Sequence, residues 1–243
     1  MKLFSKFSLN KENYFTLLLS LIPISFIAGN MIININILLL IFSGLIFFFK
    51  DFFKLKYFFL DKILLNYFSL ILLVGIYNDI YLYLNFNDFY QNRSPFFTST
   101  KSLLFCRFLL LYLIIRILIS RNILNFKIFF LISSFCALFV CIDIFFQLIT
   151  GRDFFGYGVD SRFRKLGGPF GDEYIAGGYI QRFSIFSLFL IPAFFSAKNN
   201  SKNNLIIAIL FLIFFVGIVF SGNRMPLIMF LLSLLLYFIF EIK

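Results

Sequence analysis

The chain has 243 residues, 61% of them hydrophobic, and carries a formal net charge of +11. No soluble domain of that length buries so much apolar surface, so the composition excludes a water-soluble globule and makes the bilayer the main solvent. Basic loops on the cytoplasmic side of a multi-pass protein account for the charge, which leaves no case for nucleic acid as a partner.

Phe reaches 42 residues while Trp and His are both absent. A codon bias toward Phe, Ile, Asn and Lys explains the first fact, since Phe fills lipid-facing positions as well as Leu does. The missing His removes the commonest general base and the commonest metal ligand together. Cys106, Cys136 and Cys141 sit in apolar helices and read as small buried residues, with neither a disulfide nor a metal site. No cofactor is implied.

Eight apolar runs follow one another: Tyr14–Gly29, Ile32–Phe49, Ile63–Tyr77, Ser102–Ser120, Ile128–Ile149, Phe183–Ala197, Leu205–Phe220 and Met225–Phe240. The expected fold is therefore all-α, a polytopic transmembrane bundle of about eight spans. The first run lacks a small-residue cleavage site and reads as a retained anchor. The third run continues upstream toward Tyr57. Pro226 suits the first turn of the last helix, whereas Pro192 should kink the sixth. With the N-terminus inside, twelve Lys and Arg fall in inner loops and eight in outer ones, with Arg107 and Arg116 inside a helix. That alternation obeys the positive-inside rule. It divides the chain into five helices over residues 1–149, an outer Gly- and Arg-rich loop over 150–182, and three helices over 183–243. Asn78–Lys101 reads as an interfacial loop.

The segment Gly151–Arg182 is the one long polar island. It places Arg162, Arg164 and Lys165, with Asp160, Asp172 and Glu173, among eight glycines. Glycines let backbone amides approach an anion, and Arg grips phosphate oxygens in pairs. The alternative is a solvated loop whose charges neutralise one another. Arg182 opens the sixth helix in this reading, where a cation opposes the helix dipole; it either binds a phosphate or snorkels to the headgroups. Arg224 follows Ser221-Gly222-Asn223 in a tight turn on the same side of the membrane, as a ligand or as an interfacial anchor. Asp143 is read as the only acid inside an apolar run, with Arg107 as its favoured structural partner and Arg116 as a second candidate. Gln147 lies one turn further on the same face.

These residues resemble a family. Asp143-Ile-Phe-Phe-Gln147, Gly151-Arg-Asp153-Phe-Phe-Gly156-Tyr157, the stretch from Arg164 to Phe183, and Ser221-Gly-Asn-Arg224 before an apolar helix look like the N-terminal portion of bacterial O-antigen ligases and O-antigen polymerases. The resemblance covers about the last hundred residues by motif. It implies a glycosyltransferase C-like protein of the bacterial inner membrane, with a cytoplasmic N-terminus, that acts in surface polysaccharide (lipopolysaccharide) assembly. Its donor would be a glycan on undecaprenyl diphosphate at the periplasmic face. Its acceptor would be lipid A–core for a ligase or a second lipid-linked glycan for a polymerase, with membrane lipids around it. Arg164, Arg182 and Arg224 would grip the diphosphate, with Arg162 and Lys165 beside them, because positive charge stabilises its departure. Members of the family continue with a second long periplasmic loop, often bearing a catalytic His, and with further helices. The expectation here is therefore the donor-binding half, truncated or split, with a second polypeptide supplying the rest. Acting alone, it would need Glu173 or Asp172 as base toward the acceptor hydroxyl. The competing classes are a flippase of lipid-linked oligosaccharide and a non-catalytic membrane partner subunit. A flippase calls for polar residues along several spans, and only Arg107, Arg116 and Asp143 qualify on this reading.

Overall fold

The structure is a computed structural model that describes residues 10–85, 96–158, 166–189 and 200–241. Those residues are helical almost throughout, without a β-strand. Among the described residues four helical stretches are long and apolar enough to cross a membrane: Asn30–Phe52, Phe59–Leu84, Phe97–Ser120 and Phe126–Thr150. Multi-pass membrane character is thus a property of the helices as well as of the composition. The chain divides into two compact units, one of Met1–Asn34 with Asn125–Lys243, the other of Ile35–Leu124.

The first apolar run is not one helix but two, α1 (Lys11–Ser20) and α2 (Ile22–Ala28), broken at Leu21. Pro23 explains the break, because it has no N–H to continue the preceding helix and suits a first turn. Helix α3 (Asn30–Phe52) starts directly after Gly29, whose φ of 117° is open to glycine alone. Helix α4 (Phe59–Asn85) extends well beyond Ile63–Tyr77 at both ends. Two parts of the expected 78–101 loop, 78–85 and 97–101, are therefore helical. The fourth run becomes α5 (Phe97–Phe105) and α6 (Arg107–Ser120), separated by a turn at Cys106. Helix α7 (Phe126–Thr150) matches its run closely, capped by the Asn125 side chain accepting from the Lys127 amide at 3.1 Å. Helix α8 (Ala176–Ser184) begins inside the polar island, and α9 (Asn200–Phe220) and α10 (Arg224–Glu241) complete the order. Pro226 sits in the first turn of α10, as expected; Pro192 lies outside the described residues.

In the Ile35–Leu124 unit, α4 and α5 pack as a hairpin. Gly75 makes room for Ser102, since a Cβ there would overlap the Ser102 hydroxyl. The N-terminus of α5 has no side-chain cap of its own, because Phe96 stands at the cap position in a left-handed conformation. Asp79 of α4 supplies the cap from across the hairpin. Its carboxylate accepts from the amides of Thr98 (3.2 Å) and Ser99 (2.7 Å) and from both their hydroxyls. A second knot forms around Asp61, which is 1% exposed. It accepts from the Tyr112 hydroxyl (2.6 Å) and the Phe58 amide (2.5 Å) and pairs with Arg116. Arg116 also donates to the Lys56 carbonyl at 2.6 Å and covers the Phe58 ring at 4.5 Å. Asp143 is therefore not alone as an acid within a span, since Asp61 and Asp79 lie within Phe59–Leu84. Arg116 has its carboxylate in Asp61.

In the other unit the core gathers where α7, α8, α9 and α10 meet, around Val140, Cys141, Tyr179, Ile180, Phe214 and Phe230. Gly217 of α9 lets the helix approach the Cys141 sulfur closely. All three cysteines are free. Helix α1 is tied to the start of α7 by the Asn125 amide, which donates to the Thr16 hydroxyl at 3.1 Å.

Breaking the Asp61 knot strands a buried guanidinium, so Asp61→Ala should lower stability by roughly 3 kcal/mol or more, against about 1 kcal/mol for Tyr112→Phe. Denaturation of both variants in the same detergent measures the difference.

Candidate functional site

The polar island is built onto the last turns of α7. Asp143 and Gln147 are one turn apart on one buried face of that helix, fully buried and 1% exposed respectively. Each holds a piece of returning backbone. Asp143 Oδ1 accepts from the Phe154 amide at 2.8 Å. Gln147 Oε1 accepts from the Gly168 amide at 3.0 Å, and its Nε2 donates to the Tyr157 carbonyl at 3.4 Å. Gly151 ends α7 in the left-handed conformation and returns its N–H to the Gln147 carbonyl at 2.9 Å. The turn beyond it is closed by Asp153, whose Oδ1 accepts from the Phe155 (3.0 Å) and Tyr157 (2.6 Å) amides. Gly168, at φ 55°, begins a 3-10 turn, Gly168–Phe170, directly over α7: a Cβ there would stand 3.2 Å from Ile144 and 3.8 Å from Asp143 Oδ2. The Asp143–Gln147 pair thus anchors both ends of the loop.

From the 3-10 turn the chain passes Asp172 and Glu173, both exposed, into α8. Glu173 Oε1 is 3.4 Å from Asn30 Nδ2. The start of α8 is pressed against the Ser221–Arg224 turn. Asn223 Nδ2 donates to the Tyr174 carbonyl at 2.8 Å. Gly177 faces Ser221 and Asn223 so closely that a Cβ would overlap the Ser221 hydroxyl and stand 3.1 Å from the Asn223 Cβ. Gly178 lies against Pro226. One turn on, the buried Tyr179 donates to the Pro23 carbonyl at 2.9 Å and packs against Phe183 and Phe170. Burial pushes its phenol well above the ordinary value, so it stays protonated and acts as a donor.

The residues singled out in sequence fall into three groups. Asp143, Asp172, Glu173, Arg182 and Arg224 belong to one unit and surround this loop and turn. Arg162, Arg164 and Lys165 lie outside the described residues. Arg107 belongs to the Ile35–Leu124 unit, with its guanidinium 5.0 Å from the Phe108 ring, while the hydrogen bond of Asp143 comes from its own loop. Arg182 requires a correction. It does not open a helix: α8 starts six residues earlier, at Ala176, and Arg182 stands in its last turn, where a cation complements the dipole. Its guanidinium is 5.9 Å from the Phe26 ring. Arg224 is the first residue of α10, where the dipole does oppose it. Both arginines are exposed, and neither is in an ion pair among the described residues, whose pairs are Arg116–Asp61 and Arg121–Asp51. Asp172 and Glu173 therefore do not neutralise them.

Two contributors escaped the sequence reading, the Asn223 amide as a link to Tyr174 and Gly177 as the point of closest approach. The Ala176-Gly177-Gly178 run carried the signal, since adjacent glycines at a helix start mark a close neighbour. No cluster of three or more His, Cys, Asp or Glu side chains occurs among the described residues. Chemically, the arrangement offers two uncompensated guanidinium groups beside a glycine-rich, tightly anchored loop, which suits an anion. The class defined by fold and site together is a multi-pass, all-helical membrane protein with a basic polar loop. No family model, curated protein or solved structure matches this chain.

Gly177→Val should separate α8 from the Ser221–Arg224 turn and cost about 1–3 kcal/mol, while Gly158→Val, which meets open space, should cost little. Thermal unfolding of the two variants tests the contact. Asp143→Ala should leave the half-buried Phe154 amide without its acceptor and expose the 153–157 turn to limited proteolysis at a rate several times that of the parent, for about 1 kcal/mol lost.

Proposed function

We propose that this chain is an eight-span inner-membrane protein of the O-antigen ligase/polymerase type that binds the diphosphate of an undecaprenyl-linked glycan at the periplasmic face, and that its N-terminus is cytoplasmic. The observation that carries the reading is the hydrogen bond from Asn223 to the Tyr174 carbonyl, with Gly177 seated against Ser221. Two motifs that resemble the family, nearly fifty residues apart in sequence, meet there. Arg224 starts its helix at that contact. Arg182 lies five residues beyond Gly177, about 7.5 Å of helical rise. Two guanidinium groups without an ion-pair partner suit the two phosphates of a diphosphate, and a pair of non-bridging oxygens on each phosphate matches the planar fork of Arg. Charge placed there also favours departure of the diphosphate when the glycan is transferred to an acceptor hydroxyl. Glu173, exposed and beside Asn30, is the carboxylate nearest in sequence to this surface and the candidate for receiving the acceptor proton.

Arg224→Ala and Arg182→Ala should each abolish glycan transfer, seen as loss of the surface-glycan ladder when the variant complements a strain lacking the protein. Arg121→Ala, whose side chain pairs with Asp51 in the Ile35–Leu124 unit, should leave the ladder intact. A normal ladder with Arg224→Ala and Arg182→Ala combined would end the diphosphate reading.

A further inference from the structure

Helix α4 packs through one narrow stripe. Its buried residues, Asp61, Phe68, Gly75 and Asp79, recur at spacings of seven, seven and four and turn toward α5 and α6. Asn66 stands two residues from Phe68, which is about 160° round the helix axis from that stripe. Its side chain is exposed, and no described group bonds to its amide; the neighbouring Ser69 hydroxyl donates only to the Asn66 backbone carbonyl. The span Phe59–Leu84 has 26 residues, about 39 Å of helix, against a hydrocarbon thickness of about 30 Å. An even overhang removes about 4–5 Å at each end. Asn66 begins about 10 Å from the start of the helix, so its amide lies within the hydrocarbon, turned away from α5 and α6.

An amide in that position costs free energy unless another helix satisfies it. The residues in line with it describe that helix. Asn66, Leu70, Leu73, Tyr77, Ile80 and Leu84 follow one another at four, three, four, three and four residues, and all are exposed. That is an unbroken heptad seam opposite the packed stripe, with one polar residue in it. A carboxamide is donor and acceptor at once, so two copies of the same asparagine facing each other across a twofold axis satisfy each other, with no further polar group required. A single Asn in an otherwise apolar seam also sets register.

From this we infer that the protein forms a homodimer in the membrane through α4, with Asn66 of one copy hydrogen-bonded to Asn66 of the other at a left-handed helix crossing. The test uses the full chain reconstituted in phospholipid vesicles. Energy transfer between donor- and acceptor-labelled copies should report a dimer over a range of protein-to-lipid ratios, and Asn66→Val should weaken it about tenfold while Asn66→Gln retains most of it. Oxidation of L73C, in a background with the three native cysteines replaced by Ala, should give a covalent dimer, whereas I76C should not. Unfolding of Asn66→Val in detergent should match the parent, because residue 66 makes none of the packing within its unit. A parent chain that stays monomeric at every ratio, an Asn66→Val chain that associates like the parent, or equal crosslinking of L73C and I76C would each overturn the proposal.

Discussion

A carboxylate buried on an apolar helix must find donors within the chain, and the local architecture of this protein is arranged around three that do. Asp61, Asp79 and Asp143 sit on membrane-crossing helices, and each accepts at least one backbone amide from the segment that enters or returns to its helix. Asp61 holds the approach to its own helix together with Tyr112 and Arg116. Asp79 caps a neighbouring helix that has no cap of its own. Asp143 receives the turn that follows it. In each case a negative group on a rigid helix meets N–H groups that a helix end or tight turn leaves unpaired, so one bond relieves two desolvation costs.

For the polar loop this means that the acids and the arginines have different work. One carboxylate oxygen each of Asp143 and Asp153, together with the Gln147 amide, is taken up by backbone and holds the loop's shape. Arg182 and Arg224 are left without counter-ions among the described residues. A positively charged surface built on fixed backbone pays little reorganisation when an anion arrives, which is the condition under which guanidinium groups bind and polarise a phosphate well. The glycines contribute space rather than flexibility: Gly168 and Gly177 stand where a side chain would collide with α7 and with Ser221.

The helices in the middle of the chain were legible because their apolar runs are long; α7 and α9 agree with their runs to within a few residues at their ends. Helix ends were not. Asp79 reads as a loop residue while the run is judged by hydropathy alone, because its charge ends the run; the charge is accommodated by Thr98 and Ser99, nineteen and twenty residues away. The same error displaced the start of α8: Ala176–Gln181 is too polar and too glycine-rich to look helical, yet contact with the Ser221–Arg224 turn holds it so. In sequence Arg107, and after it Arg116, are the cations on offer to Asp143 because all three lie in apolar runs, whereas Asp61 precedes the apolar core Ile63–Tyr77 of its run. Nothing in spacing reveals which carboxylate a guanidinium will face.

The unit that carries the polar loop is discontinuous in sequence, and this has a consequence for how the chain is made. Tyr179 donates to the carbonyl of Pro23, a partner 156 residues earlier, and α1 meets the start of α7 at Thr16. During synthesis the first two helices leave the ribosome before Tyr179 and Asn125 have been made. The whole Ile35–Leu124 segment is threaded into the bilayer before α7 and α8 exist to meet them. That segment is contiguous and can settle as soon as α6 is complete, whereas the first helices wait for α7 and α8. The first two helices therefore complete their contacts only after Ile35–Leu124 has been made, and the loop acquires its shape only once the Ser221–Arg224 turn has followed it.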